Sequence, residues 1–159
     1  MRSALIFASR QERRISFFKI SDLYPGLTPA EKALAAEKPI DSLKAYRLSW
    51  KAEEICLKEF PRSASNDESD ACRHFVWATL LSRVLGAEAA QSILDAHEQE
   101  PTQPPEEKAM DLANNQRGVT FATTEAKTFS DEEILGQFRN FSRKENSWCS
   151  RVGEENDDF

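Results

Sequence analysis

The stretch DACRHFVWATLLSRVLG, Asp70 to Gly86, has an apolar helical period that opens with an aspartate, an arginine and a histidine. At about 100° per residue, Asp70, Arg73 and His74 fall in one narrow arc together with Trp77, Leu81, Val84 and Leu85. The polar trio continues the face this helix has to bury. Burying an unpaired polar or charged side chain costs several kcal/mol, so the rest of the chain has to bring partners to these three residues.

Two other segments repeat the pattern. In MDLANN, Asp111, Asn114 and Asn115 have the same spacing as Asp70, Arg73 and His74 and share one helix face in the same way. In ILDAHE, His97 follows Ile93 and Leu94 by four and three residues and so lies on the apolar side of its own helix. Both histidines of the chain are expected to face the core. The simplest arrangement is a polar centre where three helices meet.

Helix signals dominate elsewhere. LTPAEKALAAEKP has Thr28 as N-cap, Pro29 at the first helical position and Glu31 closing a capping box, with Pro39 as the stop. Asp41 is expected to cap the next helix, which carries Leu43, Tyr46, Leu48, Trp50, Ile55 and Leu57. AEAAQSILDAHEQE is expected to run to Pro101, and EPTQPPEE is a proline-rich loop. EEKAMDLANNQRG reads as a helix that ends in an Asn-Asn and glycine stop, VTFATT as the one short strand, and Ser130 to Glu133 as a capping box opening the last helix. Trp50, Trp77 and Trp148 are expected to be core or half-buried, and Phe138 with Phe141 to form the inner face of that last helix.

The fold expected is therefore all-α: a single compact bundle of six or seven helices over residues 1–150 with a motif core at 69–118. The first twenty residues settle on no period and are read as irregular, and RVGEENDDF, residues 151–159, as a frayed acidic tail. A length of 159 residues suits one modest core.

Composition narrows the function. Acidic residues outnumber basic ones by 27 to 21, which gives no footprint for a nucleic-acid partner. Arg10, Arg13 and Arg14 read as solvated surface. No run approaches the roughly 18 apolar residues of a membrane span, and SALIFAS is too short for a signal-peptide core. The expectation is residence in the cytoplasm of the producing cell, with export by a specialised machine left open. Cys56, Cys72 and Cys149 form no Cys-x-x-Cys pair and leave an odd thiol, so they are read as reduced. No His-Glu-x-x-His, Gly-x-Ser-x-Gly or nucleotide-cradling glycine loop occurs.

The chemistry left is that of the polar centre. Two imidazoles and a carboxylate suit a divalent ion, zinc first, with a position left for water, and His74, His97 and Asp111 are the expected ligands. Glu98 is the expected general base, although it lies roughly 100° from His97 on a regular helix and reaches the same cavity only if the helix ends there. Asp70 is the carboxylate expected to orient a histidine or share the proton transfer. Arg73, or the amides of Asn114 and Asn115, would stabilise an oxyanion. The opposing reading is structural: Asp70, Arg73 and His74 as a buried ion-pair cluster, Asp70 as an N-cap, and Asn114 with Asn115 as a helix stop.

The blocks Asp70-x-x-Arg73-His74-x-x-Trp77, then DAHE, then MDLANNQRG together resemble an uncharacterised all-helical bacterial domain found alone and at the ends of secreted or toxin-like polypeptides. The resemblance spans about Ser69 to Gly118 and implies roles for His74, His97, Glu98, Asp111, Asn114, Asn115 and Gly118. This chain departs from it at RHFVW, and at LANN, where Ala113 stands in place of a relative's histidine.

Three functions are expected in order. The first is a metal-dependent hydrolase, an effector acting on peptidoglycan or another envelope polymer, with a cognate immunity or secretion partner. The second is a non-catalytic adaptor or immunity-type protein whose polar centre is structural. The third is a histidine-dependent, phospholipase-like enzyme that needs calcium rather than zinc.

Overall fold

The computed structural model describes residues 26–124 and 128–144. These form six helices with no strand among them: α1 (Pro29–Glu37), α2 (Pro39–Cys56), α3 (Glu68–Leu85), α4 (Ala87–His97), α5 (Pro105–Thr124) and α6 (Asp131–Lys144). The fold is all-α, as its periodicity implies. The first twenty residues, Trp148, Cys149 and the acidic segment 151–159 lie outside the described residues.

The architecture follows from α3. Twelve of its 18 residues are buried, because apolar side chains surround more than one face of the helix and each needs a neighbour. It is packed by α2, α4, α5 and α6, most extensively by α5, while α1 closes over α2 and α4. Phe75, at the centre, meets the rings of Phe121, Phe138 and Phe141 at centroid distances of 5.7 to 5.9 Å. With Ile55, Leu81, Leu94 and Leu135, all at most 1% exposed, it forms the apolar half of the core. Each such side chain contributes roughly 1.5–3 kcal/mol by its removal from water.

Several helix ends follow their capping signals. Thr28 accepts from Glu31 N while the Glu31 carboxylate accepts from Thr28 N, and Ser130 and Glu133 form the same reciprocal pair. Gly86 ends α3 with φ of 88°, a left-handed-side conformation that side chains rarely adopt. Phe138 is buried on α6 and Phe141 packs on the core beside it.

Other expectations are corrected. VTFATT is no strand: it is the last part of α5, which runs unbroken through Asn114, Asn115 and Gly118 to Thr124. Those residues cannot stop the helix because they are where α5 meets α3. A Cβ on Gly118 would fall on the Phe75 carbonyl oxygen and 2.8 Å from Ala78 Cβ, so glycine sets the distance between the two helices. Asp41 sits in the first turn of α2 and does not cap it; Lys38 is the N-cap and makes no side-chain cap bond. Trp50 is 64% exposed, whereas Trp77 is buried and donates its indole N–H to Ala45 O at 3.0 Å. The α4 helix ends at His97, before Pro101.

The cysteines are not all reduced. Cys56, the last residue of α2, is bonded to Cys72 in α3 across a Cα separation of 6.0 Å. Both are buried. Cys72 lies on the face of α3 turned toward α2, which is how two residues 16 apart in sequence meet.

Candidate metal centre

The start of α3 sets the site. Asp67 is the N-cap, accepting from Ser69 N and Asp70 N, and the preceding Asn66 takes φ of 61°, a conformation asparagine tolerates. Asp70 is therefore not the cap but the third residue of the helix. Its Oδ2 accepts from Asn66 N at 2.8 Å, and its Oδ1 faces inward, with Arg73 Nη2 bonded to it and His74 Nε2 at 3.6 Å. One helical turn thus fixes Asp70, Arg73 and His74 in the arc the sequence draws.

The α5 helix answers from the other side. Asp111 Oδ1 lies 3.3 Å from His74 Nε2, and Gln103, in the α4–α5 loop, donates to Asp111 Oδ2 at 2.6 Å. Asn115 donates its amide N–H to Glu98 Oε1 at 2.9 Å, which turns the amide oxygen toward His74 Nδ1, 3.3 Å away. Because α4 stops at His97, Glu98 leaves the helical path with φ of −75° and ψ of 9° and enters the same centre, 2% exposed. Its Oε1 is 3.4 Å from His74 Nδ1.

The result is an imidazole that meets oxygen acceptors at both ring nitrogens. Asn115 Oδ1 and Glu98 Oε1 face Nδ1; Asp70 Oδ1 and Asp111 Oδ1 face Nε2. A neutral imidazole has one N–H to give, and burial, followed by the nearby His97, pulls the His74 pKa down to about 3. Asp111 Oδ1 receives no hydrogen bond although it is fully buried. Burial, then the charges of Glu98 and Asp70, push the Asp111 pKa up to about 8, and burial also raises that of Glu98. Three carboxyl groups, Asp70, Glu98 and Asp111, thus surround a neutral ring, and the Arg73 guanidinium is bonded to Asp70 alone of them. A cation fits that imbalance.

Two three-residue groups have ligand atoms close enough for one ion, and both use His74: Asp70, His74 and Asp111, all buried, and His74, His97 and Glu98. The expected trio of His74, His97 and Asp111 is neither of these groups: His74 belongs to both, Asp111 to the first and His97 to the second. Asp111 shares the Nε2 side with Asp70, while His97 belongs with Glu98. The Nδ1 of His97 bonds Glu31 Oε1 at 2.9 Å, and its ring stands edge-on to Trp77 at 5.0 Å and tilted to His74 at 5.8 Å. Burial lowers the His97 pKa, but the hydrogen bond and charge of Glu31, with Glu98 and Asp111, outweigh it and hold the pKa above its usual value.

Arg73 and Asn114 are turned elsewhere. Arg73 bonds Ser63 Oγ, Ala64 O and Asp70, pinning the α2–α3 loop to α3. Asn114 donates to Met110 O on its own helix and accepts from Arg117. Sequence reasoning missed Glu31 and Gln103. Glu31 was legible as a cap, and its second role, gripping a histidine 66 residues away, has no sequence signal. Gln103 lies in a proline-rich loop without a period.

A cleft of about 940 Å³ opens over this centre, reaching His74, His97, Glu98 and Asp111 at its floor and Tyr46 and Trp50 on the α2 wall. No described helix is long and apolar enough to cross a membrane.

No curated protein and no solved structure matches the chain. The family described as Domain of unknown function (DUF6973) matches residues 32–146, from α1 to the end of α6, and the chain belongs to that family.

Proposed function

We propose that the polar centre holds one divalent cation and that the domain is a small metal-dependent hydrolase of amidase or esterase type. The observation that carries this reading is His74, with an acceptor at each ring nitrogen and an undonated carboxylate oxygen, Asp111 Oδ1, beside Nε2. Asp70, His74 Nε2 and Asp111 are the favoured ligands, with Asn115 holding the Nδ1–H as ring-orienting partners do in metal sites. His97 and Glu98 border the opposite side of the same ring. One nitrogen and two oxygens suit zinc, and also manganese.

The ion would polarise a carbonyl and acidify water. Glu98 takes the proton from the attacking water and returns it to the departing amine or alcohol. Asn115 aims that carboxylate through its 2.9 Å bond, and Gln103 steadies Asp111.

Peptidoglycan or another envelope polymer is the substrate class that the resemblance to secreted, toxin-like polypeptides suggests. The Cys56–Cys72 bond supports work in an oxidising compartment, and hence export; the cognate immunity or secretion partner rests on the resemblance alone. The test is fragment release from isolated envelope polymer by zinc-loaded protein. Release that stops with chelator and falls at least about 100-fold in Glu98→Gln supports the reading; release indifferent to both contradicts it.

A further inference from the structure

Seven carboxylates line the cleft against a single guanidinium, Arg73, and no lysine lines it. Glu53 and Glu100 are exposed and Glu107 is half-buried, so these three lie toward solvent while the rest surround the centre. Arg73 is already bonded to Asp70 and does not offset the others. At the floor, Asp111 Oδ1, assigned above to the ion, is buried without a donor, so the cleft favours positive charge there as well as along its wall. On the α2 wall Trp50 is 64% exposed, its ring 5.2 Å from that of Tyr46, and Glu53 follows it by three residues on the same helix face.

An exposed indole beside carboxylates suits one chemistry. The aromatic faces take the methylene stem of an amine side chain and attract its ammonium head, and the carboxylates pair with that head. Phosphate-bearing and other anionic chains meet the opposite field.

Building on the hydrolase reading above, we infer that this cleft binds a peptide chain bearing primary ammonium groups, laid along Trp50 and Tyr46 and held by Glu53, Glu100 and Glu107, with an amide presented to the metal centre. The ligand class depends on the cleft wall and not on the ion, so binding is measured in both metal-loaded and chelator-treated protein.

Tetralysine is titrated by calorimetry into the wild type, Trp50→Ala, Glu53→Gln, Glu100→Gln and, as a control outside the cleft, Glu88→Gln. Binding is expected with and without metal, weakened about two- to fivefold by each cleft carboxylate replaced, weakened by Trp50→Ala and unchanged by Glu88→Gln. Fully acetylated tetralysine and tetraglutamate are expected not to bind. Equal binding of the acetylated peptide, or weakening by Glu88→Gln as large as by the cleft variants, would overturn the inference. Protein that binds tetralysine in this pattern but takes up no metal keeps the ligand class and loses the hydrolase. Protein that takes up metal but ignores tetralysine does the reverse.

Discussion

His74 Nε2 lies 3.3 Å from Asp111 Oδ1 across the contact between α3 and α5, and that oxygen receives no hydrogen bond. Without a cation the carboxylate is a burden on the fold. In chelator, Asp111→Asn is expected to raise stability by about 1–3 kcal/mol, since an amide can donate to the ring nitrogen and still keep Gln103 as a partner. The same variant is expected to lose all stabilisation by zinc. Thermal unfolding with and without metal reads both signs, and a metal-free Asp111→Asn less stable than the wild type would contradict this account.

The pH dependence of the metal-free protein follows. The Asp111 pKa rises from 3.8 to about 8 on folding, so between those values the folded chain holds a proton that the unfolded chain does not. Stability is then present at low pH and lost as pH climbs toward 8, by up to about 1.4 kcal/mol per pH unit. Below pH 6.5 the opposite shift of His74, from 6.5 down to about 3, cancels this slope, so melting temperatures in chelator are expected to fall from pH 6.5 to 8 in the wild type and to fall less in Asp111→Asn. Equal slopes would remove Asp111 as the cause.

Gly118→Ala is expected to destabilise by about 1–3 kcal/mol or more, because the methyl group meets the Phe75 carbonyl and Ala78 Cβ. Moving α5 off α3 also moves Asp111 and Asn115 away from His74, so metal affinity should fall with stability. Denaturant unfolding and zinc titration of the same preparation test the link. Gly136→Ala, where nothing lies within 4 Å of the added Cβ, is the control.

The Cys56–Cys72 bond closes a short loop, with 16 residues of sequence separation, and such a loop is worth about 3 kcal/mol. Protein unfolded in denaturant without reductant should show one reactive thiol, and three once reductant is added. The double variant Cys56→Ala, Cys72→Ala should unfold at correspondingly lower denaturant. Three thiols reacting after unfolding without reductant would show the cysteines to be reduced.

Much of the centre was legible because a helix writes its buried face into its spacing. Asp70, Arg73 and His74 on α3, and Asp111, Asn114 and Asn115 on α5, could be assigned to facing arcs before any packing was known. The same chemistry misled at the next step. Asparagine and glycine favour helix ends, so Asn114, Asn115 and Gly118 read as a stop, whereas Asn115 is a partner of Glu98 and His74 and Gly118 allows two helices to touch. The disulfide, the grip of Glu31 on His97 and the bond from Gln103 to Asp111 join segments whose approach depends on tertiary packing, and local periodicity carries no trace of them. Trp50 read as core or half-buried from its apolar character alone, yet it is 64% exposed and stands on the cleft wall.

Whether the centre holds an ion is decided by the metal content, by elemental mass spectrometry, of protein purified without a metal-affinity tag, for the wild type, His74→Ala and Asp111→Asn. Close to one zinc or manganese ion per chain is expected in the wild type and none in either variant, with helical circular dichroism retained at least in Asp111→Asn. A wild type that holds no metal after reconstitution with zinc and manganese would contradict it, and the polar face of α3 would then serve to hold the helices together.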